Sequence, residues 1–451
     1  MITHQVKRGF DLGVAGAPAR QMVDAPEPVV VAVRPGDFPG IKARLLVQEG
    51  QTVRTGDPLF LDKLAPETKF CSPATGKVSS VVLGERRALL RVEITPGAND
   101  TFAPLPHFDL RNLSSLPRAE LVGALLQSGL WPLIRQRPIG RIAGEDVEPV
   151  AIFVNGMDTE PLAADPAFAV HGRGDDLQAG IDVLRALTRG KVYLTARAGD
   201  AQREFASLHG AEVHAFDGPH PAGLVGTHIA AIRPLGLHEC AWYLKAQECV
   251  AIGEWARTGR YPCKRVVAVA GSAAAERRYV RVRQGAPLSV LNAGKAPGQG
   301  VRVVNGTLLT GSVEPNPGFL GYYAATVTMI DEGADRRDLF GWALPQPRRL
   351  SFHRSVWPFA RTASGLEVDA RMHGGHRPIV NLGSWEAVTP LDILPTFLVR
   401  AIQANDLDEA LKLGLLEVTE EDVALCTVVD PCKTDVGAII RKGLDLYAKE
   451  I

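Results

Sequence analysis

At 451 residues, 46% of them hydrophobic, the chain is long enough for about three or four cores of ordinary size. Lysine plus arginine (50) balances aspartate plus glutamate (50), so no global field draws the chain to nucleic acid or to an acidic membrane surface, which leaves only local patches for such contacts. No apolar run reaches the roughly 20 residues needed to cross a bilayer, and the stretch Met1 to Arg8 lacks the apolar centre of a signal peptide; the expectation is a cytoplasmic chain without a transmembrane segment.

In chain order, Pro26, Pro28, Pro35 and Pro39 break up the first forty or so residues, where only Val29 to Val33 reads as a strand. Then come Glu49-Gly50, Val53, Gly56-Asp57-Pro58-Leu59 and Ser72-Pro73, Gly76, Val78. Short strands between Gly-Asp and Ser-Pro turns predict a small all-β sandwich or barrel. The pattern resembles the biotinyl/lipoyl-like barrel-sandwich hybrid. A carrier lysine would sit near Asp62-Lys63, but Leu64-Ala65-Pro66 follows and the distance to Ser72-Pro73 is too long, so a structural module is expected there. Residues 95–115, rich in proline, serine and asparagine, read as a linker.

Pro117 opens a helix with Leu121, Val122, Leu125 and Leu126 on one face and Gly129 as its stop. From Val150 to Asp217 strand and helix alternate. Ala151 to Asn155 is an apolar strand; Asp176 to Arg189 is a helix with Leu177, Ile181, Leu184 and Leu187 in helical register; Val192 to Leu194 is a strand; Gly199 to His209 a second helix; Glu212 to Phe216 a third strand. Parallel neighbours need crossover helices, so this stretch predicts an open parallel sheet of Rossmann-like type. His220 to His228 is too glycine-rich for an element interior, and a helix resumes near Lys245 and ends near Gly259.

Strands follow at Val266 to Ala270, Tyr279 to Arg283 and Val301 to Val304, with a short helix near Pro287 to Leu291: the order of a β-grasp module. Residues 319–357 continue in β fashion, most clearly from Tyr322 to Ile330. The end is helical: Leu391, Leu394, Leu398 and Ile402 share one face, Val436, Ile440, Leu444 and Tyr447 another, and Thr419 to Asp422 resembles a capping box. The expected multi-domain α/β architecture is therefore a β barrel-sandwich over 1–105, an α/β domain over 106–260, a β-grasp region over 261–385 and a helical domain over 386–451.

Chemistry is sparse. The nearest match to a dinucleotide fingerprint, Gly172-Arg173-Gly174, has Leu177 in place of the third glycine and puts Asp175 and Asp176 where a pyrophosphate would seek the helix start. Both aspartates suit helix capping better. Gly294-Lys295 lacks the spacing and hydroxyl of a phosphate loop. The six cysteines (71, 240, 249, 263, 426, 432) contain no C-x-x-C pair, so reduced structural thiols are expected rather than a disulfide framework, a zinc site or an iron-sulfur cluster. His238-Glu239-Cys240 lacks the second histidine of a zinc helix, and His373-Gly374-Gly375-His376 reads as a flexible loop. No metal site and no catalytic residue emerges.

Several stretches together resemble the A subunit of the bacterial Na+-translocating NADH:quinone reductase: Lys7 to Pro18, His220 to Ile229, Phe340-Gly341-Trp342, Pro390 to Thr396, Ala424 to Thr427 and Pro431 to Asp435. The wider resemblance, to the electron-entry subunit of the Rnf complex and the flavin-binding subunit of respiratory complex I, implies the four domains above. It also implies losses. Trp131 to Arg137 stands where those relatives carry a glycine-rich flavin loop, and its bulk is expected to close that pocket. Asn155 to Pro161 stands for their N-x-x-E-G-E-P, and Cys426 and Cys432 are what remains of a four-cysteine motif.

The resemblance implies a peripheral subunit on the cytoplasmic face of the bacterial inner membrane, docked on membrane and peripheral partners of a complex that passes electrons from NADH to ubiquinone and exports Na+. FAD, FMN and iron-sulfur centres are expected on those partners, and no tightly bound cofactor here. Quinone binding is attributed to the family. A quinone in the former flavin crevice would meet Trp131, Arg135, Arg137, Asn155 and Glu160, an aromatic face with donors for its carbonyls; the alternative for the same side chains is packing and surface ion pairs. Two other functions stay open: an assembly scaffold without a ligand, and an autonomous NADH-oxidising flavoenzyme.

Overall fold

The computed structural model of the chain describes residues 2–291, 300–314, 318–333, 352, 365–380 and 382–450. Gly294-Lys295, Phe340-Gly341-Trp342 and most of the β region expected up to 357 lie outside these. The alternation expected from Val150 to Asp217 is the centre of a seven-stranded sheet, ordered Ile2–Gln5, Glu212–Asp217, Lys191–Arg197, Ala151–Asn155, Ala241–Lys245, Arg135–Arg137, Arg141–Ile142. The first five run parallel and the last two form an antiparallel edge. Phe153, Val154, Leu194 and Trp242 are buried from both faces, as continuous apolar runs in a covered parallel sheet must be.

The Gly174–Ala186 and Ala246–Thr258 helices cover one face and cross very closely. A Cβ on Gly253 would lie 1.7 Å from the Asp176 carbonyl oxygen, and one on Gly180 2.2 Å from that of Cys249. Only hydrogen at both positions permits the approach. The first helix starts at Gly174, and neither Asp175 nor Asp176 caps it, because Arg173 holds the cap position. Asp176 accepts instead from Arg173 (2.5 Å) and Arg257 (2.6 Å), tying the two helices.

Several local expectations change. The Gly199 to His209 helix is cut to Ala198–Arg203. The glycine-rich stretch after 220 does form a helix, Val225–Ile232, since Gly226 must pass the Asp422 carboxylate, 2.2 Å from where a Cβ would stand. The first 24 residues carry two strands that the sequence reading did not expect: Ile2–Gln5 extends the parallel sheet, and Ala19–Asp24 joins a different one. Between them, Gly9 at φ +146° lies so close to His220 that a Cβ would be 2.1 Å from its carbonyl oxygen. The His220 amide donates to Asp11 and its carbonyl accepts from Phe10. Two of the stretches that carry the family resemblance thus meet.

The barrel-sandwich is two small sheets, Val31–Val33, Leu89–Pro96, Gly76–Leu83, Thr52–Val53 and Ala43–Leu45, Pro58–Asp62, Lys69–Cys71, closed over Phe38, Leu59, Phe60 and Phe70. The segment after it is no free linker: Asp100 accepts from Thr55, Thr75 and Arg283. A mixed six-stranded sheet follows, ordered Ser312–Val313, Val301–Asn305, Thr326–Asp331, Lys264–Ala270, Arg278–Arg283, Ala19–Asp24. The strand expected from Tyr322 starts only at Thr326, leaving Tyr322 and Tyr323 in a turn.

The helical part buries Leu398 and Ile402 on one helix face, with Leu391 packed in the same core from the turn ahead of that helix, and Val436, Ile440 and Leu444 on another face, each worth about 1.5–3 kcal/mol. Leu394 departs from the expected face: it caps the Pro395–Gln403 helix and points outward. Asp422 accepts from the Thr419 amide (2.8 Å) and hydroxyl (3.1 Å), but the helix begins later, at Ala424.

Candidate functional site

The site begins with strand order. After Ala151–Asn155 the chain adds strands on one flank, then returns to the opposite flank with Ala241–Lys245. Asn155 and Lys245, paired in register, mark the carboxyl ends where the connections diverge, the place where open α/β sheets leave a crevice. Here that crevice is the floor of a cleft of ≈ 740 Å³, within the range of small-molecule sites. Its other walls are the loop after Val301–Asn305, the Tyr322-Tyr323 turn, and the helical part between Thr419 and Arg441.

The Arg135 guanidinium, at the start of the edge strand, lies over the rings of Tyr243 (4.5 Å) and Tyr323 (4.9 Å). Such contacts are each worth about 0.5–2 kcal/mol. It makes no direct hydrogen bond or ion pair among the described residues, and its buried Nε has no partner. Two residues on, Arg137 also lies over the Tyr243 ring, at 5.6 Å, but is buried behind the cleft lining, bonded to Asp422 (2.7 Å) and Glu421 (2.9 Å). Burial pushes the Asp422 carboxyl up, and Arg137 offsets it in part. For Glu421 burial acts in the same sense but Arg137 and Arg135 outweigh it, holding the group below the usual range.

Glu160 closes the floor. It accepts from the Thr310 hydroxyl (3.0 Å) and from that of Thr307, joining the loop after Ala151–Asn155 to the six-stranded sheet. Burial, then the charge of Asp158, pushes its carboxyl up to about 8. At neutral pH it is mostly protonated and can donate as well as accept. Lys245 Nζ stands 3.5 Å from Asp158. Asn155 ties two loops together, donating to the Gly223 carbonyl ahead of the Val225–Ile232 helix (2.9 Å) and accepting from the Met157 amide of its own loop (3.0 Å).

Of the five residues proposed from the sequence, Arg135 and Glu160 line the cleft and share with Asn155 a small adjoining hollow of ≈ 40 Å³, whereas Trp131 and Arg137 line neither. Trp131 is core: it stands edge-on to Trp242 at 5.2 Å and its indole N–H donates to the Ala143 carbonyl (2.8 Å). The bulk at 131–137 therefore packs as a short turn and an edge strand and leaves the crevice open. The aromatic faces are those of Tyr243 and Tyr323, which the sequence reading missed along with Lys245, Thr307 and Thr310; the one available signal was the apolar run Trp242-Tyr243-Leu244 before a helix.

All six cysteines are free, and burial pushes the Cys426 thiol up to about 12. Among the described residues no group of three or more His, Cys, Asp or Glu side chains could hold a metal ion, and no helix is long and apolar enough to cross a membrane.

Three family models match in succession: the NqrA N-terminal barrel-sandwich hybrid domain over residues 4–97, the NqrA second alpha/beta domain over 116–261, and the NQRA C-terminal domain over 266–314. Among curated relatives, the A subunit of the Na(+)-translocating NADH-quinone reductase of Neisseria meningitidis serogroup B is 38% identical over 448 residues, 99% of each chain. That of Vibrio atlanticus is 38% identical over 452 residues, 100% of each chain, and that of Serratia proteamaculans 38% over 455, 99% of each. Among solved structures, an air-oxidized NAD+-reducing [NiFe]-hydrogenase aligns over 78% of this chain and 67% of its own at 14% identity and a TM-score of 0.37, too faint to argue from.

Proposed function

The chain belongs to the NqrA family, the A subunits of the Na+-translocating NADH-quinone reductase, and from that membership we propose that it is a peripheral subunit of such a complex, which passes electrons from NADH to ubiquinone and moves Na+ across the membrane. The observation that carries this is the 38% identity along the whole length of chains with that name. The subunit sits on the cytoplasmic face, docked on partners that hold the FAD, FMN and iron-sulfur centres. The parallel sheet is read as Rossmann-like and the six-stranded sheet as a β-grasp module of the soluble-ligand-binding type. Residues 1–105, 106–260, 261–385 and 386–451 are its four domains, with the first 24 residues lending strands to the second and third.

The cleft at the switch point is read as a quinone crevice. Its support is chemical: two tyrosine faces for a ring, an unpaired Arg135 guanidinium and a protonated Glu160 as donors to carbonyl oxygens. A titration of the isolated chain with a short-chain ubiquinone, followed by tryptophan fluorescence, tests it. Saturable quenching is expected, weakened about tenfold or more in Arg135→Ala, since a hydrogen bond from a charged donor contributes about 1.5–3 kcal/mol. No saturable response would remove the quinone and leave the second reading, a ligand-free scaffold. That reading draws on the buried ion pairs between domains, Arg137 with Glu421 and Asp422, and Arg265 with Glu248. Flavin absorbance together with NADH oxidation by the isolated chain would instead establish a flavoenzyme; neither is expected.

A further inference from the structure

The Pro395–Gln403 helix buries Thr396, Leu398, Val399, Ala401 and Ile402 in the helical core. The positions left over, Leu394 at its cap and then Phe397, Arg400 and Gln403, fall at every third residue and form its outer face. Water-facing positions of a core-packed helix are ordinarily polar, yet Leu394 is 52% exposed and Phe397 50%. Alongside lies the segment 377–380, with Leu382 beyond it; Val380 is 57% and Leu382 56% exposed. It is fixed to the helical part by the Arg377 amide on the Cys432 carbonyl (3.0 Å) and His376 Nδ1 on that of Lys433 (3.0 Å). Ile379, Val380 and Leu382 line one hollow with Thr396.

Beside this apolar strip the cations gather. Arg377, Arg400 and Lys433, with His376, line an open cleft of ≈ 460 Å³ that shares Ile379 with the first hollow. None of these three makes a side-chain ion pair or hydrogen bond among the described residues. One carboxylate, Asp435, lines the same cleft and accepts the Ala438 amide. The neutral total of the chain thus conceals a local patch with an excess of positive charge, next to four apolar side chains that are each about half exposed.

We propose that this face, formed by Leu394, Phe397 and Arg400 of the helix and by Arg377, Val380 and Leu382 beside it, rests on an anionic lipid surface. Charge decides the sign of the occupant, and the shape of the apolar part decides its kind. A protein partner anchors itself by inserting side chains into pockets, but the apolar hollow here measures ≈ 10 Å³, no more than one water needs. A shallow apolar strip edged by long unpaired cations suits a bilayer interface, where the apolar groups enter the acyl boundary and the cations meet lipid phosphates. The inference goes beyond the reductase reading and is independent of any quinone.

Co-sedimentation of the full chain with vesicles tests it. With equimolar phosphatidylglycerol and phosphatidylethanolamine the unmodified chain is expected to sediment, with binding that falls as salt rises; with phosphatidylcholine alone it is expected to stay in solution. Leu394→Ser with Phe397→Ser should abolish sedimentation while the chain keeps a cooperative thermal transition, because both side chains are about half exposed and lie outside the helical core. Arg377→Gln, Arg400→Gln and Lys433→Gln together should weaken it about a hundredfold, about fivefold for each cation. Failure of the unmodified chain to bind anionic vesicles at low salt, equal binding to neutral ones, or undiminished binding by both sets of variants would each overturn the proposal.

Discussion

Glu160→Gln tests the electrostatics of the cleft floor. The Glu160 carboxyl is raised from 4.5 to about 8, first by burial and then by Asp158. A carboxyl raised on folding stabilises the fold while it is neutral: the contribution is complete below the unfolded value and is lost as pH rises through the folded one. At about 1.4 kcal/mol per pH unit, the interval from about pH 5 to about pH 8 is worth about 4 kcal/mol, an upper bound because the cleft admits water. An entropy of unfolding of about 2.1 cal/mol/K per residue makes that about 4 °C in melting temperature for a chain of this length unfolding as one unit. Glutamine keeps the acceptor for Thr307 and Thr310 and cannot ionise. Calorimetric melting from about pH 5 to about pH 9 should therefore show the unmodified chain losing about 4 °C relative to Glu160→Gln, the other titrating groups being common to both. Parallel curves would refute the reasoning.

Two further changes probe the frame around the cleft. Arg137→Met strands Glu421 and Asp422 without their buried cation and should cost about 3–5 kcal/mol in urea unfolding, with much of it restored by Asp422→Asn in the same chain. Gly253→Ala forces a methyl against the Asp176 carbonyl and should destabilise by about 3 kcal/mol or more, while Gly174→Ala, which meets nothing within 4 Å, should be close to neutral.

The parts of the fold legible in the sequence were those with a long, regular period. Leu177, Ile181 and Leu184 gave the first crossover helix, and Ala151 to Asn155 the central strand. What escaped was set by contacts distant in sequence. Ile2–Gln5 and Ala19–Asp24 are short and largely exposed, and become strands only because other sheets offer them edges. Val225–Ile232 is helical despite its glycine because the glycine serves the contact with Asp422. In the cleft and the hollow beside it, Arg135, Asn155 and Glu160 were accessible by resemblance. Trp131 was misplaced because it lies in the turn ahead of the strand and packs into the core, and Arg137, which shares the strand face of Arg135, because Glu421 and Asp422 of the distant helical part take up its guanidinium. Tyr243, Tyr323 and Thr307 arrive from three separate elements, and no spacing in the chain records their meeting.

Affinity purification of the full chain from its native membranes tests the account most directly. It predicts recovery of the chain with membrane-spanning partner subunits and with NADH:quinone reductase activity in the purified assembly. Recovery of the chain alone, or of an assembly without that activity, would contradict it.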